Sequence, residues 1–170
     1  MSKFTTQQIQ EKIRQEGDYH TWSYKGKYLC EIVRRSGNWC GYVVIPKGHP
    51  CFGLDYDDIE DKYNDKINVH GGITYSEGIG YEVPLSAILK DLDEDNNNGK
   101  GRKELKGKAS EQAQYWKIGF DTVHFGDLSA NKHTFERLSL IDAGEYRDKD
   151  YVIAQTNRLA EQLEAIENNE

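Results

Sequence analysis

A chain of 170 residues is the size of one compact domain and too short for two ordinary ones. With 36% hydrophobic and 30% charged residues and a mean hydropathy of -0.84, it offers no run near the roughly 20 apolar residues that a bilayer-spanning helix needs. Lys+Arg 22 against Asp+Glu 29 leave a formal charge of -7, a field that repels duplex DNA and RNA while still allowing a small anionic ligand held by a local set of donors.

The first residues, MSKFTTQQIQEK, lack the apolar core of a secretion signal, and the three cysteines, Cys30, Cys40 and Cys51, match no zinc spacing. A cytoplasmic protein with unpaired, buried thiols and no membrane partner is expected. The 11 Tyr, 5 Phe and 3 Trp against a single Met predict a core built on rings.

Ile9 and Ile13 stand one helical turn apart between a candidate N-cap, Thr5 or Thr6, and a stop at Gly17, so residues 5–16 predict a short amphipathic helix. From Tyr19 to Ile45 the apolar period changes to two, broken at Lys25-Gly26 and at Ser36-Gly37-Asn38, which predicts three strands in an antiparallel meander. Pro46-Lys47-Gly48 ends the third strand, and residues 48–66, rich in Gly and Asp, read as an irregular acidic surface excursion. KINVHGGITY, residues 66–75, predicts a further strand on the sheet with a bulge or tight bend at Gly71-Gly72. Residues 91–112 carry no apolar period and are expected to form a mobile insertion within the single domain. Strand signal resumes at 115–120. Val152, Leu159, Leu163 and Ile166 then recur at helical spacing behind Asp148 as N-cap and predict a C-terminal helix over the sheet. The expected fold class is α+β: an antiparallel sheet with an N-terminal and a C-terminal helix packed on it.

Side chains able to do chemistry concentrate in five segments: Gly48-His49-Pro50, Tyr56-Asp57-Asp58, Val69-His70-Gly71-Gly72, the run from Phe120 to Asp127, and Tyr146-Arg147-Asp148. Most adjoin predicted element ends, where loops converge to build pockets. Asp121, His124 and Asp127 are the sharpest set, two carboxylates and an imidazole at three-residue spacing after an apolar strand. Such a set serves a divalent metal, with His70 or His49 completing it, or a hydrogen-bonded network in which Asp orients His toward a carbonyl or a ligand phosphate. Gly71-Gly72 would let backbone N–H groups approach an anion, or simply form a strand bulge. Tyr42, Tyr56, Tyr75 and Trp116 are candidates to stack on a base, although strand aromatics more often face a core. Arg34, Arg35, Lys117 and Arg147 are the candidate phosphate partners. Asp93, Asp95, Asn97 and Glu104 imitate a calcium loop but place Asn98 where the chain must turn sharply. The chain has no phosphate-binding Gly-Lys-Ser/Thr motif, no dinucleotide fingerprint and no Gly-x-Ser-x-Gly.

The segments GYVVIPKGHP, VHGGITY, WKIGFDTVHFGD and YRDKDYV, followed by LAEQL, resemble a family of small uncharacterised bacteriophage proteins over residues 39–163. Family members usually carry Cys where this chain has Thr122 and a second Trp where it has Lys117; neither departure removes a His or Asp. The resemblance implies an accessory protein of the infected or lysogenic host cell's cytoplasm. By analogy with phage proteins of this size that act on nucleotide immune signals, it implies a host-directed role. The expectations are therefore a site where His49, His70, Asp121, His124 and Asp127 converge and a small nucleotide-like host signal is bound and sequestered. Two alternatives accompany it: a metal-dependent phosphodiester hydrolase holding its ion with Asp121, His124, Asp127 and His70, and an inhibitor that binds a host protein through the acidic residues 55–65. Self-association stays open in all three.

Overall fold

The computed structural model describes residues 4–94, 108–109, 113–124, 126–128 and 144–169. Period-two patterning builds β1 (Tyr19–Tyr24), β2 (Tyr28–Arg35) and β3 (Asn38–Pro46). Lys25, Gly26, Ser36 and Gly37 between them all have positive φ, as tight hairpin turns require. The chain adds β4 (Tyr75–Gly80), the two-residue β5 (Lys108–Ala109) and β6 (Tyr115–Asp121). The sheet order is β1-β2-β3-β6-β4-β5, with every pairing antiparallel.

Four helices complete the described fold: α1 (Thr6–Glu16), α2 (Tyr56–Tyr63), α3 (Leu85–Glu94) and α4 (Lys149–Asn169). Thr5 caps α1 reciprocally, its hydroxyl accepting from the Gln8 amide at 3.1 Å while its own amide donates to Gln8 Oε1 at 2.9 Å. Asp148 caps α4, accepting from the Tyr151 amide at 2.8 Å.

Strand alternation sorts the side chains into two faces. One carries Tyr28, Cys30, Ile32, Trp39, Val43, Ile45, Ile118 and Phe120 against Val152, Leu159, Leu163 and Ile166 of α4 and against Ile59 and Tyr63 of α2. The other sets Leu29, Val44 and Ile79 against Leu85, Ile88, Leu89 and Leu92 of α3. Trp39, Tyr28, Tyr63 and Phe120 are the largest fully buried side chains, but most of the buried hydrophobic residues are Ile, Leu and Val, so the core is aliphatic with a few large rings and not, as composition suggested, built on rings. Cys30, Cys40 and Cys51 are buried and form no disulfide. Helix α1 docks through Ile9 on Leu128 and Tyr146. The molecule is thus α+β, and among the described residues no helix is long and apolar enough to cross a membrane.

Three further expectations need correction. The excursion at 48–66 contains α2, because Ile59 and Tyr63 lie one turn apart and are fully buried beneath an otherwise acidic helix. Residues 66–74 form no strand. Ile67, Val69 and Ile73 are spaced like strand residues but plug the α4-side core from a loop that turns at Gly71 and Gly72, and pairing starts only at Tyr75. The polar insertion cannot begin at 91, since Leu85, Ile88, Leu89 and Leu92 make one buried helical stripe running to Glu94. The remainder of that insertion, 95–107 and 110–112, and with it Asp95, Asn97 and Glu104, lies outside the described residues.

Helix α4 crosses the sheet at Gly41, where a Cβ would stand 2.3 Å from Thr156 Oγ1 and 2.6 Å from the Phe120 ring. Gly41→Val should therefore destabilise the fold by about 1–3 kcal/mol through overpacking, read as a lower urea midpoint with an unchanged m-value.

Candidate functional site

The end of β6 and the start of α4 bring together residues far apart in sequence. Asp121 ends β6 and accepts from the Val123 amide at 3.1 Å, which starts the turn that carries His124. Asp127 follows: its amide donates to the His124 carbonyl at 2.9 Å, and a parallel bridge ties it to Glu145. The Asp127 carboxylate is almost sealed, with its side chain 1% exposed. It accepts from His70 Nε2 at 2.8 Å, from Arg147 Nε at 2.9 Å and from the His124 amide at 3.1 Å. Burial pushes its pKa up, but these bonds outweigh burial and leave it below the ordinary aspartate value.

His70 is held at both ring nitrogens, with Nδ1 2.7 Å from the Tyr151 hydroxyl. An ionised Asp127 can only accept, so His70 Nε2–H donates to it and Nδ1 accepts from Tyr151 O–H. The loop carrying His70 is fixed from two sides. Gln155 of α4 accepts from the His70 amide at 3.0 Å, and Glu60 of α2 accepts from the Ile73 amide at 2.5 Å. Between them Gly71 has φ 70°, and a Cβ there would fall 2.1 Å from His124 Nε2. Only glycine lets the His124 ring lie on this turn. The His70 and His124 rings meet edge to face with centroids 5.8 Å apart. His124 Nε2 also stands 2.9 Å from Asp121 Oδ1, near enough for an ion pair but off the line of a hydrogen bond.

Arg147 completes the cluster. Its Nη1 lies 3.2 Å from Glu145 Oε2, and its guanidinium sits 5.0 Å from the centre of the Tyr151 ring. Burial pushes the Tyr151 phenol up, Arg147 pulls it down, and Asp127 and Glu145 push it up again; the net shift is upward, so the hydroxyl keeps its proton at neutral pH.

The sequence-predicted residues thus divide. His70, Gly71, Asp121, His124, Asp127 and Arg147 come together, with Gly72 beside them facing Glu60. His49 does not join. It is buried, its Nδ1 accepting from the Cys51 amide at 3.0 Å and its Nε2 lying 2.8 Å from the Leu163 carbonyl. Leu163 is about 18 Å farther along α4 than Tyr151 at the helical rise per residue. Trp116 faces the core side, where Nε1 donates to Ser76 Oγ at 2.6 Å and to the Leu54 carbonyl at 3.0 Å. Tyr42 and Tyr75 pack edge to face on the opposite side of the sheet, and Tyr56 is exposed at the start of α2. Lys117 is consumed in a buried ion pair with Glu31, while Arg34 donates to the Tyr146 hydroxyl at 3.0 Å and stacks on Trp39. Arg35 is exposed at the end of β2.

Among the described residues no group of three or more His, Cys, Asp or Glu is arranged to hold a metal ion. The proposed ligand set falls into two pairs, His70 with Asp127 and His124 with Asp121, and the Asp127 oxygens are already taken by three donors. Two surface grooves, one beside Lys66 and Arg158 and one beside Tyr81 and Tyr115, contain none of the expected site residues. Sequence reading missed Tyr151, Gln155, Glu60 and Glu145. The available signal for the first two was their spacing on α4, one turn apart beside the apolar stripe.

No family model matches the chain, and no curated protein or solved structure is significantly similar to it.

Because the native pKa of Asp127 is depressed, its network stabilises the fold above the ordinary carboxyl range, and that contribution is lost as pH falls below about 4. Asp127→Asn should cost about 3 kcal/mol at pH 7, and urea titrations of wild type and variant should show this gap narrowing as pH falls below about 4, by at most about 1.4 kcal/mol per pH unit. Gly71→Ala should cost about 1–2 kcal/mol through its positive φ and displace the His124 ring, read as a changed His124 imidazole resonance in NMR spectra.

Proposed function

We propose that the protein binds a small phosphate-bearing, nucleotide-like ligand at the face formed by His124, Arg147 and the Gly71 turn, and so removes a host signal from circulation. One observation carries this reading: every carboxylate of the cluster is already paired, and the positions left open are those a phosphate uses. Asp121, Asp127 and Glu145 are engaged by His124, by His70 and Arg147, and by Arg147 respectively. By contrast Arg147 Nη2, the Gly71 amide and His124 Nδ1 have no partner among the described residues. A planar guanidinium fixed by Asp127 and Glu145, an exposed amide on a left-handed turn and an imidazole are complementary to phosphate oxygens. Arg147 is pre-oriented, so little side-chain entropy is lost on binding.

The aromatic platform belongs to this reading only in part. Trp116, Tyr42 and Tyr75 are committed elsewhere, which leaves Tyr151 as the ring beside Arg147. The acidic face of α2, with Asp57, Asp58 and Asp61 exposed, remains available to a protein partner.

A ligand that binds only the folded state raises its melting temperature. Inorganic phosphate, mononucleotides, cyclic dinucleotides and cyclic ADP-ribose isomers should be screened by thermal shift against wild type, His124→Ala and Arg147→Gln. At least one nucleotide should raise Tm by several degrees, a shift of the size about 1–2 kcal/mol produces in a domain of this length, and both variants should abolish it while remaining folded. A flat panel in wild type would sink the reading and turn attention to the α2 face, tested by pull-down.

A further inference from the structure

We infer that Tyr151 is a nucleophile and that the bound phosphodiester is cleaved through a phosphotyrosine. The inference rests on the phosphate position proposed above. It is carried by the order of three groups: Asp127 Oδ2 lies 2.8 Å from His70 Nε2, and His70 Nδ1 lies 2.7 Å from the Tyr151 hydroxyl. A buried carboxylate fixes the tautomer of an imidazole, and that imidazole accepts from a hydroxyl. This is the arrangement by which hydroxyl nucleophiles are activated on unrelated folds. Each member is separately braced: Asp127 by Arg147 and the His124 amide, His70 by Gln155, and the Tyr151 ring by the overlying guanidinium. Bracing to this degree is what a positioned reactive group needs.

The phenol carries its proton at neutral pH, so attack requires a base, and His70 is in contact with it. In the first half-reaction Tyr151 Oη attacks phosphorus. The P–Oη bond forms as the bond from phosphorus to the ribose oxygen breaks. The phenolic proton passes to His70 Nδ1, and the resulting imidazolium faces the Asp127 carboxylate. Protonated His124 delivers its Nδ1 proton to the leaving oxygen, while Arg147 Nη2 and the Gly71 amide hold the non-bridging oxygens. In the second half-reaction His124 Nδ1 takes a proton from water, whose oxygen attacks the phosphotyrosine; the P–Oη bond breaks and His70 returns its proton to Oη. One water is consumed, one P–O bond is cleaved, and no electron changes hands. Tyr151, His70 and His124 act on the reacting atoms, and Asp127 is a positioning residue acting through His70.

The test uses the full chain with bis(p-nitrophenyl) phosphate in EDTA, reading p-nitrophenolate release together with intact mass after early quenching. Release and a p-nitrophenylphosphoryl adduct on Tyr151 are expected. Release should fall at least about a hundredfold in Tyr151→Phe, as loss of the attacking group implies, and this variant keeps the ring beneath Arg147. Asp127→Asn should also lose the low-field His70 Nε2–H resonance, a signature that a purely structural role would not link to turnover. Undiminished release in Tyr151→Phe overturns the inference. So does absence of both release and adduct in a wild type whose Tm rises with phosphate or a nucleotide, and in that case the binding reading survives. If the folded wild type shows no release, no adduct and no thermal shift with any probe, both readings fall.

Discussion

A carboxylate that is nearly excluded from water while keeping its charge constrains everything around it, and Asp127 is that group here. Taking one ion out of water costs several kcal/mol, recovered only when every lone pair finds a donor in good geometry. Asp127 meets that requirement by drawing on two distant parts of the chain and on its own turn: His70 from the loop before β4, Arg147 from the approach to α4, and the amide of His124 three residues earlier. None of the three can move alone without leaving a buried charge uncompensated. The site is therefore rigid where it is polar, and its remaining open valences are held in fixed directions.

The scaffold behind this network is helix α4, which serves as a common ruler for the loops at one face of the sheet. Along its length Gln155 accepts from His70, Asn157 from the Trp22 indole and Gln162 from the Asn68 amide, the Leu163 carbonyl meets His49, and Glu167 accepts from Tyr28. The contact is close because Gly41 and Thr156 let helix and sheet approach. At its N-terminus two of the first-turn amides are taken within the fold, that of Lys149 by Glu16 at 2.8 Å and that of Tyr151 by Asp148 at 2.8 Å. These two donors at the positive end of the helix dipole stabilise the fold.

Glu16 links this end of the molecule to α1. Beyond the Lys149 amide it accepts from the Tyr146 hydroxyl at 2.5 Å and pairs with Arg34, which in turn stacks on Trp39. The last residue of the first helix, a buried strand tryptophan and the first residue of the last helix are coupled through one carboxylate. The opposite face of the sheet carries its own buried ion pair, Lys117 with Glu31, with the Lys117 ammonium 4.6 Å from the centre of the Tyr42 ring. Among the described residues the charges of Asp127, Lys117 and Glu31 are buried and paired, and the open groups around His124 and Arg147 lie at the edge of one of these pairings.

Much of this could be read from the chain itself. The meander from Tyr19 to Pro46, the strand from Tyr115, the capped first helix and the apolar stripe of α4 follow from local periodicity and end signals, and each formed where those signals placed it. The proximity of Asp121, His124 and Asp127 was also visible, since their spacing lies within one loop. What no local pattern encodes is which distant group completes them. His49 and His70 look alike in sequence, each beside a glycine in a segment with turn signals. Yet one is buried beside Leu163 and the other is delivered to Asp127, because α4 runs past both and only its first turns carry Tyr151 and Gln155. The strand-like spacing of Ile67, Val69 and Ile73 misled for the same reason, as a loop can plug a core with any spacing once a helix covers it. Sequence determined the β1–β3 meander, β6, the first and last helices and the turn that groups Asp121, His124 and Asp127, because those depend on neighbours along the chain. The tertiary structure decided the partners, because a buried carboxylate is satisfied by whatever the folded chain brings within about 3 Å.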